Sequence, residues 1–96
     1  MIRHLVFFGV ADPADVDTVL RTLETYRDIP GVRTLEVARN EKRDAADNDV
    51  DVVLHATFDD RAALEAYKRH PRYLAGIDVI RPLRTIRMVA DYQSED

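Results

Sequence analysis

Four segments of the chain carry β-branched and aromatic residues in the short runs that are typical of β-strands. The first run is largely apolar on both alternating faces: one carries His4, Val6 and Phe8, and the other carries Leu5 and Phe7. A strand that is buried on both faces needs helices against one side and a second cover against the other. The predicted strands span residues 2–10, 32–39, 50–58 and 83–92.

Between the strands, apolar residues repeat at the spacing of amphipathic helices. The dipeptide Asp12-Pro13 starts the first helix, because an acid is a good N-cap and proline suits the first helical position. Asp59 or Asp60 is expected to cap the second helix, and Pro71 starts a third. The predicted helices run from about residue 13 to 27, from about 60 to 69 and from 71 to about 80.

The resulting order of elements, β-α-β-β-α-β, predicts an α+β fold of the ferredoxin-like type, with one antiparallel sheet and its helices on one face. We assign residues 1–92 to a single domain and residues 93–96 to a C-terminal tail. The sheet face away from the helices is apolar, and a second copy of the same sheet is its simplest cover. We therefore expect a homodimer through that face, by way of Leu5, Phe7, Val53 and His55.

The composition narrows the classes of partner. The chain has 96 residues, no cysteine and a net charge of −4, with 14 basic and 18 acidic residues. This balance argues against nucleic acid as a partner, because phosphate binding needs a basic face. The absence of cysteine excludes disulfides and thiolate ligands, and no other pattern predicts a metal site. No apolar run approaches the roughly 18 residues that span a bilayer, so we expect no membrane partner and a cytoplasmic location.

The segment Leu64–Tyr73 carries the most suggestive polar side chains. Tyr67 and His70 are three residues apart and so lie on neighbouring parts of one helix face, which Pro71 ends. We expect His70 to cap the end of this helix, where a donor meets free carbonyls. His4, in the first strand, is either a buried structural histidine or an acid/base group, because the ordinary pKa of histidine lies near 6.5.

Four motifs in register along the chain resemble the stress-responsive dimeric α/β-barrel (Dabb) domain family. The likeness covers nearly the whole chain in the right order. The matching segments are Met1–Phe8, Ile29–Val32 with the strand end Ala38–Asn40, Leu64–Pro71 and Val89–Tyr92.

The resemblance implies a ferredoxin-like protomer that dimerises sheet to sheet into an α/β barrel, with a pocket between the sheet and the helices of each protomer and no cofactor. The family is similar to olivetolic acid cyclase, a plant enzyme that closes a linear polyketide by aldol condensation. By this likeness, His4 and Tyr67 match two working residues of the cyclase. The position of its catalytic base carries Tyr73, and a further pocket histidine is matched by Val52.

Three functions remain open from the sequence. The first is a stress-responsive dimer, with no defined reaction, that binds a small apolar ligand through Val6, Phe8, Val52, Leu54 and Leu74. The second is a cofactor-free cyclase, isomerase or oxygenase that acts on a polyketide-like or aromatic carbonyl compound through His4, Tyr67 and Tyr73. The third is a structural dimer module that binds a partner through the loop of residues 40–49. Separately from these, Tyr67 either orients a ligand carbonyl or only packs its ring in the core.

Two arginines of the last strand are also candidates for the pocket. By strand parity Arg84 and Arg87 fall on opposite faces, so one of them points toward the pocket or the dimer seam. The sequence does not decide which one.

Overall fold

The computed structural model describes all 96 residues and contains a four-stranded antiparallel sheet with its helices on one face. The strands are β1 (Ile2–Val10), β2 (Val32–Arg39), β3 (Val52–Phe58) and β4 (Arg84–Gln93), in the spatial order β2-β3-β1-β4. The helices are α1 (Val16–Glu24), α2 (Arg61–Arg69) and α3 (Pro71–Ile80), with 3-10 turns at Pro13–Asp15 and Thr25–Asp28. This is the α+β, ferredoxin-like arrangement that the order of elements predicts.

The first helix is shorter than predicted because both of its ends tighten into 3-10 turns. At its start, the carboxylate of Asp12 accepts the N–H of Ala14 at 3.0 Å, which confirms the predicted cap. At its end, the hydroxyl of Thr25 donates to the carbonyl of Thr22 at 2.6 Å. The second helix begins as predicted, with the Asp60 carboxylate accepting a backbone N–H three residues later at 2.9 Å.

His70 joins α2 to α3 in a different way from the one expected. Its ring does not donate to the last carbonyls of α2; instead Nδ1 accepts the N–H of Arg72 at 3.1 Å and caps the start of α3. The reason is Pro71, which holds His70 in an extended conformation at φ −67° and ψ 139°. The backbone N–H of His70 closes α2 by donating to the carbonyl of Tyr67.

Two strand boundaries differ from the predicted ones by one or two residues. The third strand starts at Val52 rather than at residue 50, because Asp51 turns its carboxylate toward the N–H of Val10, at 2.7 Å. The last strand extends through residue 93, and the N–H of Ser94 then donates to the carbonyl of Met1 at 2.8 Å. Residue 93, assigned to the tail from the sequence, is therefore part of the sheet.

A bulge in β4 overturns the parity argument for its two arginines. The register between β1 and β4 shifts just before Val10 and leaves Thr85 unpaired. Arg87 lies opposite Phe8 and Arg84 lies opposite Val10, and both of these partners face the helices. Because one extra residue resets the alternation of a strand, both arginines lie on the helix side of the sheet.

Two positions require glycine because a neighbouring side chain lies too close for a Cβ, one beside the bulge and one in α3. A Cβ on Gly9 would lie 2.5 Å from the hydroxyl oxygen of Thr85, so the bulge leaves no room for a side chain there. A Cβ on Gly76, in α3, would lie 2.1 Å from the hydroxyl oxygen of Tyr26. Glycine therefore lets the bulged strand and an aromatic ring approach the backbone closely.

The core lies between the sheet and the helices, and aromatic rings meet at its centre. The ring of Tyr67 is 4.9 Å from that of Phe58, 5.0 Å from that of Tyr73 and 5.8 Å from that of Tyr26, measured between centroids. Edge-to-face and tilted contacts of this kind stabilise a core beyond the area that they bury.

The opposite face of the sheet has no cover within the chain. Leu5, Phe7 and Val53 are only partly buried there. On β4, Met88 pairs with Phe7 and is 61% exposed, and Tyr92, on the same face, is 47% exposed. An apolar face of this kind is typical of a surface that another molecule covers.

Candidate functional site

A cavity lies between the helix side of the sheet and the helices. Its walls are mainly apolar, since nine of its 13 lining residues are hydrophobic. The sheet contributes Val6, Phe8 and Leu54, and α3 contributes Ile77 and Ile80.

The cavity is small in the present conformation. The volume of the cavity is about 20 Å³, and the wider depression that leads from it to open solvent is about 350 Å³. A cavity of roughly 10–15 Å³ holds one water, whereas pockets for drug-sized ligands are on the order of 300 Å³ or more. The cavity therefore holds about one water, and a larger ligand enters only if side chains move.

His4 lies in the wall of the cavity and contacts a carboxylate that the sequence analysis did not identify. It is 1% exposed, and its Nδ1 is 2.5 Å from Oδ1 of Asp91. The two residues are direct partners in the register of β1 and β4, so both side chains leave the sheet on the same face. Lys68 approaches the same carboxylate from α2, with Nζ 3.9 Å from Oδ2.

The surroundings of His4 favour its neutral form. Burial lowers the pKa of the imidazole below its usual value, and this effect outweighs the opposing pull of Asp91. A neutral ring beside a carboxylate donates its Nδ1 proton to that carboxylate, which leaves Nε2 as an unprotonated acceptor. Nε2 has no hydrogen-bond partner in the structure. His4 therefore presents a free basic nitrogen in a residue that lines the cavity.

Tyr67 lines the same cavity with a hydroxyl that has no partner. It is 1% exposed, and its hydroxyl oxygen is fully buried without a hydrogen bond. Burial raises the pKa of this phenol well above its usual range, so the group acts as a hydrogen-bond donor and not as a base. Because a buried polar group without a partner is costly, a water or a ligand oxygen next to it would be stabilised.

Tyr73, the residue at the position of the cyclase base, lines the cavity and is held by two hydrogen bonds. Its hydroxyl accepts a hydrogen bond from Nη2 of Arg87 at 3.3 Å, and its backbone carbonyl accepts one from the hydroxyl of Tyr26 at 3.2 Å. A phenol that is bonded to a guanidinium is placed to orient a ligand or to close the opening.

The other pocket residues expected from the sequence take different positions. Val6, Phe8 and Leu54 line the cavity. Val52 is fully buried but lies beyond the lining, and Leu74 is 49% exposed on the outer side of α3. The helical spacing places Leu74 one residue after Tyr73 and therefore on another face of the helix.

Sequence reasoning missed several residues of the site. Asp91 lies within a motif that carries the family resemblance, and its pairing with His4 follows only once β4 is known to lie beside β1. Tyr26 lies in the 3-10 turn that follows α1, and its ring lines the cavity. Arg81, after α3, lines the cavity together with Arg84 and Arg87.

The structure contains no group of three or more histidine, aspartate and glutamate side chains placed to hold a metal ion. None of its helices has the length and apolar character needed to cross a membrane.

Comparisons with known protein families agree with the architecture. The family model described as the Stress Responsive A/B Barrel Domain (Dabb) matches residues 2–94. A curated relative, the uncharacterized protein SCO4036 of Streptomyces coelicolor, is 34% identical over 101 residues, covering 97% of this chain and 99% of that protein.

Solved structures show the same fold at lower identity. A dimeric ferredoxin-like protein of unknown function from Thermobifida fusca has a TM-score of 0.85 at 24% identity, over 97% of this chain and 90% of that one. SnoaB, a cofactor-independent oxygenase from Streptomyces nogalater, has a TM-score of 0.75 at 22% identity, over 99% of this chain and 93% of that one. At these identities the likeness concerns the fold alone.

We expect the free energy of unfolding to decrease as the pH falls below about 6.5. Because the pKa of His4 is lower in the folded protein than in the unfolded chain, the unfolded chain binds more protons between the two values. The stabilisation that His4 contributes is fully present above about pH 6.5 and is lost as the pH falls toward the folded pKa. It amounts to about 1.4 kcal/mol for each unit by which the folded and unfolded pKa values of His4 differ.

Urea unfolding between about pH 8 and about pH 5 measures this dependence. His4→Gln should flatten it, whereas His70→Asn, which keeps an acceptor for the N–H of Arg72, should retain it. A full pH dependence in His4→Gln would contradict the assignment to His4.

Proposed function

Because the chain belongs to the stress responsive A/B barrel (Dabb) family, we propose that it is a homodimer in which each protomer binds a small, largely apolar ligand. The observation that carries this proposal is the mainly apolar cavity that contains the free Nε2 of His4 and the unpartnered hydroxyl of Tyr67. A role in stress response is carried over from the family description, and a cytoplasmic location stays a prediction from the composition.

The dimer part of the proposal rests on the uncovered sheet face. Phe7 and Val53 are direct cross-strand partners there, with Leu5 and His55 as the next pair along the same two strands. Packing two such faces together would remove a contiguous apolar surface from water, at roughly 25 cal/mol per Å². The related protein of Thermobifida fusca, which shares the fold, is described as dimeric.

We expect Val53→Glu to convert the dimer to a monomer, because a carboxylate would be buried there without a partner. Val79→Glu is the matched control, since Val79 lies on α3 and is already 42% exposed. Light scattering at micromolar concentration should give a dimer for the wild type and for Val79→Glu. The dissociation constant of Val53→Glu should be at least about 100-fold higher. A monomeric wild type, or a dimeric Val53→Glu, would refute this interface.

The ligand part of the proposal requires the cavity to widen. Three arginines lie between the cavity and solvent, and their long side chains can adopt many rotamers. Arg81 and Arg87 are exposed, and Arg84 is only partly buried. Rotation of these side chains would open the depression to solvent, and for Arg87 it would break the bond to the hydroxyl of Tyr73. The buried strand residues Val6, Phe8 and Leu54 fix the shape of the inner wall. A preformed apolar wall with a few polar groups is usual in ligand pockets.

A second candidate function, a cofactor-free acid/base enzyme, is favoured by the contact between His4 and Asp91. A carboxylate that accepts the Nδ1 proton orients the ring and stabilises the imidazolium that forms when Nε2 takes a proton. The hydroxyl of Tyr67 would polarise a carbonyl on the same ligand. The substrate would be a polyketide-like or aromatic carbonyl compound, with Tyr73 as a further lining residue. SnoaB, which shares the fold, is described as a cofactor-independent oxygenase.

The simplest reaction of this kind is removal of a proton from the carbon next to a ketone. We expect the protein to accelerate deuterium exchange into the methyl group of acetophenone, measured by proton NMR in heavy water. His4→Ala and Tyr67→Phe should each lose about 100-fold or more of this acceleration, because the first lacks the base and the second lacks the donor.

His70→Asn is the control for a general loss of histidine, because His70 lies outside the cavity lining and asparagine can still accept the N–H of Arg72. It should exchange at the wild-type rate. Unchanged exchange in folded His4→Ala and Tyr67→Phe would remove both residues from catalysis. If the wild type gives no acceleration, the enzyme candidate fails for this substrate class.

A further inference from the structure

Arginines cluster where the cavity opens to solvent. Arg81 follows the last residue of α3, and Arg84 and Arg87 lie on the helix side of β4 because of the bulge at Thr85. All three line the cavity. None of them has a carboxylate within ion-pair distance, and the one side-chain bond among them runs from Arg87 to the hydroxyl of Tyr73.

All three side chains line one small cavity, so their positive charges repel one another. The pKa of Arg84 is lowered by burial and, after that, by the charges of Arg87 and Arg81. Yet the chain as a whole has a net charge of −4, with more acidic than basic residues. Acidic side chains are therefore abundant but do not neutralise this cluster, which leaves it available to an anion from outside the chain.

The positive charge extends into the cavity. The charge of Arg87 contributes to lowering the pKa of His4, and it also acts on the phenols of Tyr26 and Tyr67. Below the arginines the walls are aliphatic and aromatic. The site thus combines a cationic opening, an apolar body and a basic nitrogen with a phenol at its inner end.

We propose that the ligand of this cavity is a small amphipathic carboxylate, whose carboxylate group binds Arg81, Arg84 and Arg87 while its apolar body points inward toward His4 and Tyr67. This inference rests on the proposed function and adds the chemical class of the ligand. Guanidinium groups bind carboxylates through paired, charge-assisted hydrogen bonds, which fixes the orientation of the ligand as well as its affinity.

The position of the cluster favours a carboxylate over a phosphate. Arg81 lies at the C-terminal end of α3, where the helix carries partial negative charge. No helix start or glycine-rich loop contributes N–H groups beside it, and these are the usual features of phosphate sites. A singly charged, planar group therefore fits this opening better than a doubly charged one.

Binding of three matched probes tests the inference: benzoate, its neutral analogue benzamide, and phenyl phosphate. Dissociation constants come from calorimetry, and NMR shifts of the His4 ring report entry into the cavity. We expect the wild type to bind benzoate about tenfold or more tighter than benzamide, since a hydrogen bond to a charged group is worth this much. Arg84→Gln and Arg87→Gln should each lower this ratio about threefold or more, because each removes a charge-assisted bond to the carboxylate, whereas the neutral amide of benzamide loses less.

Arg61→Gln is the control, because Arg61 is an exposed arginine at the start of α2, outside the cavity lining. It should keep the wild-type ratio. Without ligand, Arg84→Gln should melt no lower than the wild type, since it relieves repulsion; a lower melting temperature would indicate a structural role for Arg84 and count against the inference.

The binding results distinguish the apolar ligand pocket from the choice of a carboxylate as its ligand. Equal binding of benzoate and benzamide, with shifts at His4, would overturn the carboxylate inference and leave the apolar pocket standing. Binding of phenyl phosphate tenfold tighter than benzoate would overturn the choice of carboxylate. Binding of neither benzoate nor benzamide would overturn the ligand pocket and the inference together.

Discussion

His4 and Asp91 face each other across β1 and β4, and their contact connects the edge strand of the sheet to the inner wall of the cavity. A histidine buried among aromatic rings can remain neutral at little cost, whereas a charged one would need full compensation. Asp91 provides a partner for Nδ1 without charging the ring. The same geometry leaves Nε2 free, so one contact serves the stability of the sheet and defines the chemical character of the site.

The bulge in β4 determines what stands at the other end of the cavity. A regular strand would send Arg84 to the uncovered sheet face, where its charge would oppose the packing of two apolar surfaces. The unpaired Thr85 returns it to the helix side, beside Arg87. Gly9 allows this because any side chain there would collide with Thr85. A local irregularity thus separates an apolar face suited to a second protomer from a cationic opening suited to an anion.

The sequence predicts most of the fold because its signals are local. Asp12 and Asp60 cap their helices as expected, and the apolar residues on both faces of the strand around His4 predict its central place in the sheet. The errors occur where distant segments decide the outcome. Asp91 becomes a partner of His4 only through the register of strands 87 residues apart. The faces of Arg84 and Arg87 depend on a bulge that alternation cannot reveal, and the ring of His70 turns to α3 because a backbone N–H there lacks another acceptor.

The chemical character of the cavity depends on His4 being a neutral imidazole whose Nδ1 proton points to Asp91 and whose Nε2 is free. The nitrogen chemical shifts of its ring, measured by NMR on ¹⁵N-labelled protein at neutral pH, test this most directly. We expect a protonated Nδ1 and an unprotonated Nε2, and we expect this state to change when Asp91 is replaced by alanine. A ring that carries its proton on Nε2, or on both nitrogens, would contradict it.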